Sequence, residues 1–260
     1  MNGPRDRYLT EMHARFGYFA TWYPGGAPLK IGDVGCMNGN VFTPLASLSD
    51  FNLKPAPPKM GPRVDLSYSS AGKVSIEFKA SGSSTPPGSL LSIQSAGVIV
   101  EFGEEGAVLF EAVGAQTQIA DNITKLGQEI INLYKNPPAE GPRWESHYCL
   151  ITEVVQCDAA TIMISDSAKG KVEMTLQGSA GDSGLKIADA KLGLSVAYAR
   201  NVQTRLVAAA GLTPLFQAAR VVVPWFAAPR FERVHPAAAS SQPSAETREL
   251  TFEPIRFQYA

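Results

Sequence analysis

Between Val64 and Phe78 the chain reads VDLSYSSAGKVSIEF, with Val64, Leu66 and Tyr68, then Val74, Ile76 and Phe78, on alternate positions around the turn residues SSAGK. A period of two sends successive side chains to opposite faces of a strand, so such a run has one apolar face that must be buried against another layer. The pattern recurs along most of the chain and confines the fold to sheets punctuated by Gly, Pro and Ser turns. The SSAGK stretch reads as one hairpin. LLSIQSAGVIVEF, which carries Val98 and Val100, and AVLFEAVG read as a second hairpin across GEEG. HYCLITEVVQCDAATIMISD, from His147 to Asp166, reads as two apolar strands around a polar break, a core hairpin. KVEMTLQ alternates strictly, with Val172, Met174 and Leu176 on one side. LSVAYARNVQTRLVAAAG places Leu194, Val196, Tyr198, Arg200, Val202, Thr204 and Leu206 on a shared side.

Two segments break the rule of two. Tyr8, Leu9, Met12 and Phe16 recur at helical spacing, which predicts a short amphipathic helix over residues 4–16. Ile119, Ile123, Leu126, Ile130, Ile131 and Tyr134 form one helical stripe, which predicts a long central helix over 119–135, ending before Asn136 and two prolines. YFATWYP, PLKIGDVG and NGNVFTPLASLSDFNL read as further strands, the last running into a short helical turn; KPAPPKMGP is an extended connection and SGSSTPPGS a flexible loop. The fold class is α+β: a twisted antiparallel sheet with hairpin extensions, one long central helix and a short amino-terminal helix. Residues 1–233 form one unit. HPAAASSQPSAETRE, too small and polar to build a core, makes 234–249 a flexible linker, and LTFEPIRFQY makes 250–260 a last strand.

Charge narrows the partners. A formal net charge of -1 leaves no basic footprint for phosphate neutralisation, so nucleic acid is not an expected partner. Three cysteines, Cys36, Cys149 and Cys157, are too few to staple 260 residues and suit a reducing cytoplasm as free thiols. The first residues lack an apolar signal region, and VVVPWFAAP is too short and too broken by Pro224 to span a membrane as a helix.

No catalytic set assembles from the motifs, and the chain is not expected to be an enzyme. GDSG at Gly181–Gly184 resembles a serine-protease nucleophile motif, but His13, His147 and His235 each lie in an unsuitable context to serve Ser183 as a base. Cys149 and Cys157 lack a histidine pair for metal and read as buried thiols. Glu104 and Glu105 read as a hairpin tip. Glu153, inside LITEVV, either faces solvent or finds a buried partner. No cofactor or metal is expected.

The order of elements carries a resemblance. ITKLGQEIINLYK is followed by YCLITEVVQ, by TIMISDSAKGKVEMTLQ and by the apolar return TPLFQAARVVV, with Thr152, Glu153, Val154 and the Leu215–Val223 return carrying the likeness in letters. In this, and in a short first helix, a GY strand, a proline break and a PL strand, the chain resembles gasdermins, the pore-forming proteins of cell death, and the compact bacterial members among them. Bacterial gasdermins are similar in bearing a lipid-modified cysteine near the start; this chain has no cysteine before Cys36.

The resemblance implies a latent pore former of cell death or antiphage defence, cytoplasmic when inactive and at the inner membrane when active. Its partners would be membrane lipid, an activating protease and further copies of itself. Candidate membrane strands carry Val64, Leu66, Val74, Ile76, Phe78, Val98, Val100, Val172, Met174, Leu176, Val196, Tyr198 and Val202 on alternate positions. A spanning strand needs about nine to eleven residues and a closed barrel. Leu250, Phe252, Ile255, Phe257 and Tyr259 make a candidate inhibitory tail, and Arg233 and Arg248 flank a candidate cleavage linker. The alternative is a soluble, non-catalytic β-rich binding or scaffold protein.

Overall fold

The computed structural model describes residues 3–22, 28–177, 186–222 and 251–254. In chain order the elements are α1 (Pro4–Phe16), β1 (Phe19–Ala20), β2 (Asp33–Asn38), β3 (Val41–Ser47), β4 (Lys59–Ser69), β5 (Val74–Lys79), β6 (Gly97–Phe102), β7 (Val108–Ile119), α2 (Ile123–Lys135), β8 (Tyr148–Gln156), β9 (Ala159–Ser165), β10 (Gly170–Thr175), β11 (Ser195–Arg200), β12 (Val202–Ala210), β13 (Leu215–Val222) and β14 (Thr251–Pro254). Among the described residues all pairings are antiparallel, in a ten-stranded and a four-stranded sheet. Two helices, one amino-terminal and one central, complete the α+β architecture expected from the sequence.

The expected local hairpins are not the ones that form. β4 pairs with β7 and β5 with β6, so the SSAGK turn carries the chain from one sheet into the other instead of folding it back. GEEG does the same between β6 and β7. β8 and β9 are not a hairpin either. Gln156 opposes Gln116 and Ala159 opposes Val113, so both lie along β7 in one uninterrupted register, as a single long strand jogged at Cys157 and Asp158. The physical reason is common to all three: a left-handed Gly or a polar break is needed equally by a chain reversal and by a corner.

α1 is capped by Gly17 in the left-handed region and buries Tyr8, Leu9 and Met12 against one face of the large sheet, where Phe110, Ile151, Ile162 and Phe216 meet them. α2 lies on the opposite face, with Leu126, Ile130 and Ile131 against Val34, Leu150, Val221 and Trp144. It starts at Ile123 rather than Ile119, because Gln116–Ile119 still pair with β8 and β4. A third core lies between the sheets, where Val98, Val100, Val172 and Met174 pack with Leu109, Met163 and Ile187.

Candidate functional site

Four long chain segments run side by side through both sheets. The order β4–β7–β9–β12 in the large sheet matches β5–β6–β10–β11 in the small one, so β4 with β5, β7 with β6, β9 with β10 and β12 with β11 are arms of two long bent hairpins. The first hairpin spans residues 59–119 and the second 159–210. Each arm turns its corner on one left-handed residue: Gly72 (φ 66°), Gly106 (71°), Lys169 (69°) and Asn201 (55°). Backbone bonds knit the corners together, with Gly103 N donating to Lys73 O (2.8 Å), Lys169 N to Phe102 O (2.9 Å) and Asp166 N to Asn201 O (2.9 Å). The stretch LSVAYARNVQTRLVAAAG, continuous by pattern, is thus divided at Asn201 between two sheets.

Register separates the faces of the small sheet. Ile76, Val100 and Val172 form one row and Phe78, Val98, Met174 and Val196 another, and with Val74 they make one apolar face. Eight of the candidate membrane positions therefore share a side. Tyr198 does not: a bulge on β11 sets it opposite Glu173, on the polar face with Ser75, Glu101, Lys171 and Arg200. Leu176 and Val202 border the inter-sheet core. Val64 and Leu66 oppose Ala115 and Ala112, on the α1 side of the large sheet. Exposure is concentrated on the first hairpin, at Met60 (51%), Val64 (49%), Ile76 (37%), Phe78 (45%), Leu90 (68%) and Ile93 (61%). Among the described residues β4 and β5 pair only with β7 and β6, and β12 and β11 only with β9 and β10, which leaves one unpaired edge on each side of the four arms.

SGSSTPPGS, read as a flexible loop (81–89), and LLSIQSA, read as the start of a strand, together form one non-strand stretch, residues 80–96, because β6 begins only at Gly97. This strap is held across the polar face by two buried charges. The Lys79 ammonium donates to the carbonyls of Ser92 (2.9 Å), Ile93 (3.2 Å) and Ser95 (2.9 Å). Glu173, fully buried, accepts from Leu90 N at 2.7 Å and pairs with Lys171 at 2.9 Å. Burial pushes the Glu173 carboxyl upward, but Lys171 and the Leu90 amide outweigh it and hold it below the usual range. Both alternate with apolar neighbours on their strands, and the strap covers them.

α1 is fastened to the same corners. Arg7 donates to Glu104 (2.6 Å) and to the Glu105 carbonyl (2.7 Å), Lys73 pairs with Glu104 (2.6 Å), and Ser70 donates to Glu11 (2.7 Å). Lys73 and Arg7 hold the Glu104 carboxyl below its usual range. The Glu104 carboxylate and the Glu105 carbonyl are thus an anchor point between α1 and the hairpins.

Burial pushes the Cys149 and Cys157 thiols up to about 11. Glu153 finds a partner, accepting a hydrogen bond from the Tyr18 hydroxyl. His13 bonds the Tyr18 carbonyl through Nδ1 (3.2 Å), and burial lowers its pKa. Among the described residues no group of three or more His, Cys, Asp or Glu could hold a metal ion, and no helix is long and apolar enough to cross a membrane. The GDSG motif, Arg233, Arg248, Leu250, Ile255, Phe257 and Tyr259 lie outside the described residues. Phe252 lies on β14, in register with Val221 of β13. No family model, curated protein or solved structure matches the chain.

Proposed function

We propose that the protein is a latent pore former of the gasdermin type, which oligomerises in membranes after its carboxy-terminal segment is released. One observation carries the reading: two long bent hairpins lie side by side with, among the described residues, an unpaired edge on either flank. Their arms cover residues 59–79, 97–119, 159–175 and 195–210, each longer than the roughly nine to eleven residues a membrane strand needs. Different edges on opposite flanks favour head-to-tail association, which closes into rings, and a closed ring leaves no backbone edge unpaired in hydrocarbon. The small sheet already segregates an apolar from a polar face, as a barrel wall requires.

The tail supports the latent state. β13 pairs with β8 on one edge; on the other, β1 takes Leu215 and Phe216 and β14 takes Ala219–Val222. A strand added there occupies a site for strand addition. Cutting between about Val234 and Glu249 by a partner protease would free it. The test is dye release from liposomes of bacterial lipid by tail-nicked and intact protein. Release by the nicked form alone is expected; silence from both, with the tail shown to have dissociated, overturns the reading. A soluble binding protein is the second reading, favoured by a cleft at the corners that Lys73, Lys169, Lys171 and Arg200 line; it expects loss of the tail to leave membranes intact.

A further inference from the structure

The cleft stands on observations that do not depend on the pore reading. It has a volume of about 610 Å³ and opens on the polar side of the four corners, between Lys73, Glu101, Lys169, Lys171, Tyr198 and Arg200. Four cations and one carboxylate line it, and two further carboxylates, Glu104 and Glu173, reach Lys73 and Lys171 from beside the lining, which leaves the cleft a net positive charge in a protein whose net charge is -1. The cations come from three different arms: Lys73 from the β4–β5 corner, Lys169 and Lys171 from β9–β10, and Arg200 from the end of β11. Lys73 and Lys171 are partly neutralised, by Glu104 and by Glu173 and Glu101. Lys169 and Arg200 are exposed, and no carboxylate among the described residues pairs with either. Arg200 stands opposite Lys171 in register, so like charges are held side by side across adjacent strands. Like charges directly opposite are destabilising, and the Glu101 and Glu173 carboxylates relieve this pair only from the Lys171 side. The strap closes one side of the cleft at Gly88.

We infer that this cleft binds a phosphoryl-bearing small molecule, whose oxygens bridge cations of separate arms. A carboxylate has two oxygens to share among these donors, whereas a phosphoryl group offers three and carries up to two charges. Lysines supply point charges and Arg200 a planar fork, the donor types that recognise phosphate. The volume exceeds that of a lone phosphate and falls within the range of small-molecule sites, with the Tyr198 side chain on the wall. A bound anion ties three corners together and so holds the hairpins bent.

The probe is inorganic pyrophosphate titrated calorimetrically into the full chain, with vesicles of phosphatidylcholine, with and without phosphatidic acid, as the second arm. One saturable pyrophosphate site is expected, weakened at least tenfold in Lys169→Asn/Arg200→Gln and tightened several-fold in Glu101→Gln. Asn is compatible with the left-handed backbone at 169, and circular dichroism and the thermal midpoint report that the variant is folded. Binding only to phosphatidic acid vesicles, lost in the same double variant, assigns the phosphoryl group to a lipid headgroup. No saturable binding in either arm, or equal binding by the folded double variant, overturns the site. Pore activity enters none of these readouts, so failure of the cleft and failure of the pore are separate results.

Discussion

Gly97 opposes Lys79 on one side and Thr175 on the other, and its missing side chain leaves room for Leu91 of the strap. A Cβ there would meet the Met174 carbonyl at 2.5 Å and Leu91 Cδ1 at 2.7 Å. Gly97→Ala is expected to displace the strap, lowering the thermal midpoint by several degrees and speeding amide exchange over residues 89–95. Unchanged exchange there would remove Leu91 and Gly97 from the account of the strap. Glu173 adds a pH dependence of defined sign. Its folded pKa lies below the ordinary 4.5, so its contribution to stability is present above that value and is lost as pH falls through the folded value. Glu173→Gln is therefore expected to be less stable than the parent at pH 7, with the gap closing below about 4.5 in urea melts; a gap constant with pH would show that the carboxylate charge has no part in it.

At the scale of elements, α2 and β14 have different kinds of hold. α2 buries Leu126, Ile130 and Ile131 in a continuous core, and Leu126→Ala is expected to cost about 2–5 kcal/mol in denaturant melts. β14 contributes four backbone pairs along an otherwise completed sheet. Deleting residues 250–260 should leave the cooperative transition in place while amide exchange at Ala219–Val222 rises toward that of an open edge. Global unfolding on deletion would instead make β14 a required strand of the core. The sequence displays the existence of most strands, because alternation is local. It does not display which strand pairs with which: Leu66 and Tyr68 pack on the α1 core while Val74, Ile76 and Phe78 belong to the other sheet, although one pattern runs through both.

For the whole molecule, the four bent arms place the apolar side chains of the first hairpin next to the edge that no described strand pairs. Met60→Lys/Val64→Lys sets charge on that edge at positions that are half exposed, so monomer stability should stay within about 0.5 kcal/mol per site. If subunits join through β4, the same pair of changes abolishes liposome leakage by the tail-nicked protein; full leakage would place the subunit contact elsewhere.

The sequence by itself determined the class of the fold, the two helices, the buried Cys149 and Cys157 thiols and the apolar stripe of most strands, since each follows from periodicity or burial within about a dozen residues; the bulge on β11 that turns Tyr198 away from Val196 did not show in it. The tertiary structure alone decided that SSAGK, GEEG and the jog at Cys157 are corners and continuations rather than hairpin tips. It alone brought Lys73, Lys169, Lys171 and Arg200 to one cleft, from positions up to 127 residues apart, and buried Lys79 and Glu173 beneath a polar loop. Left-handed turn residues look the same whether the chain reverses or bends, and only the pairing of distant strands, each satisfying the other's backbone groups, distinguishes the two.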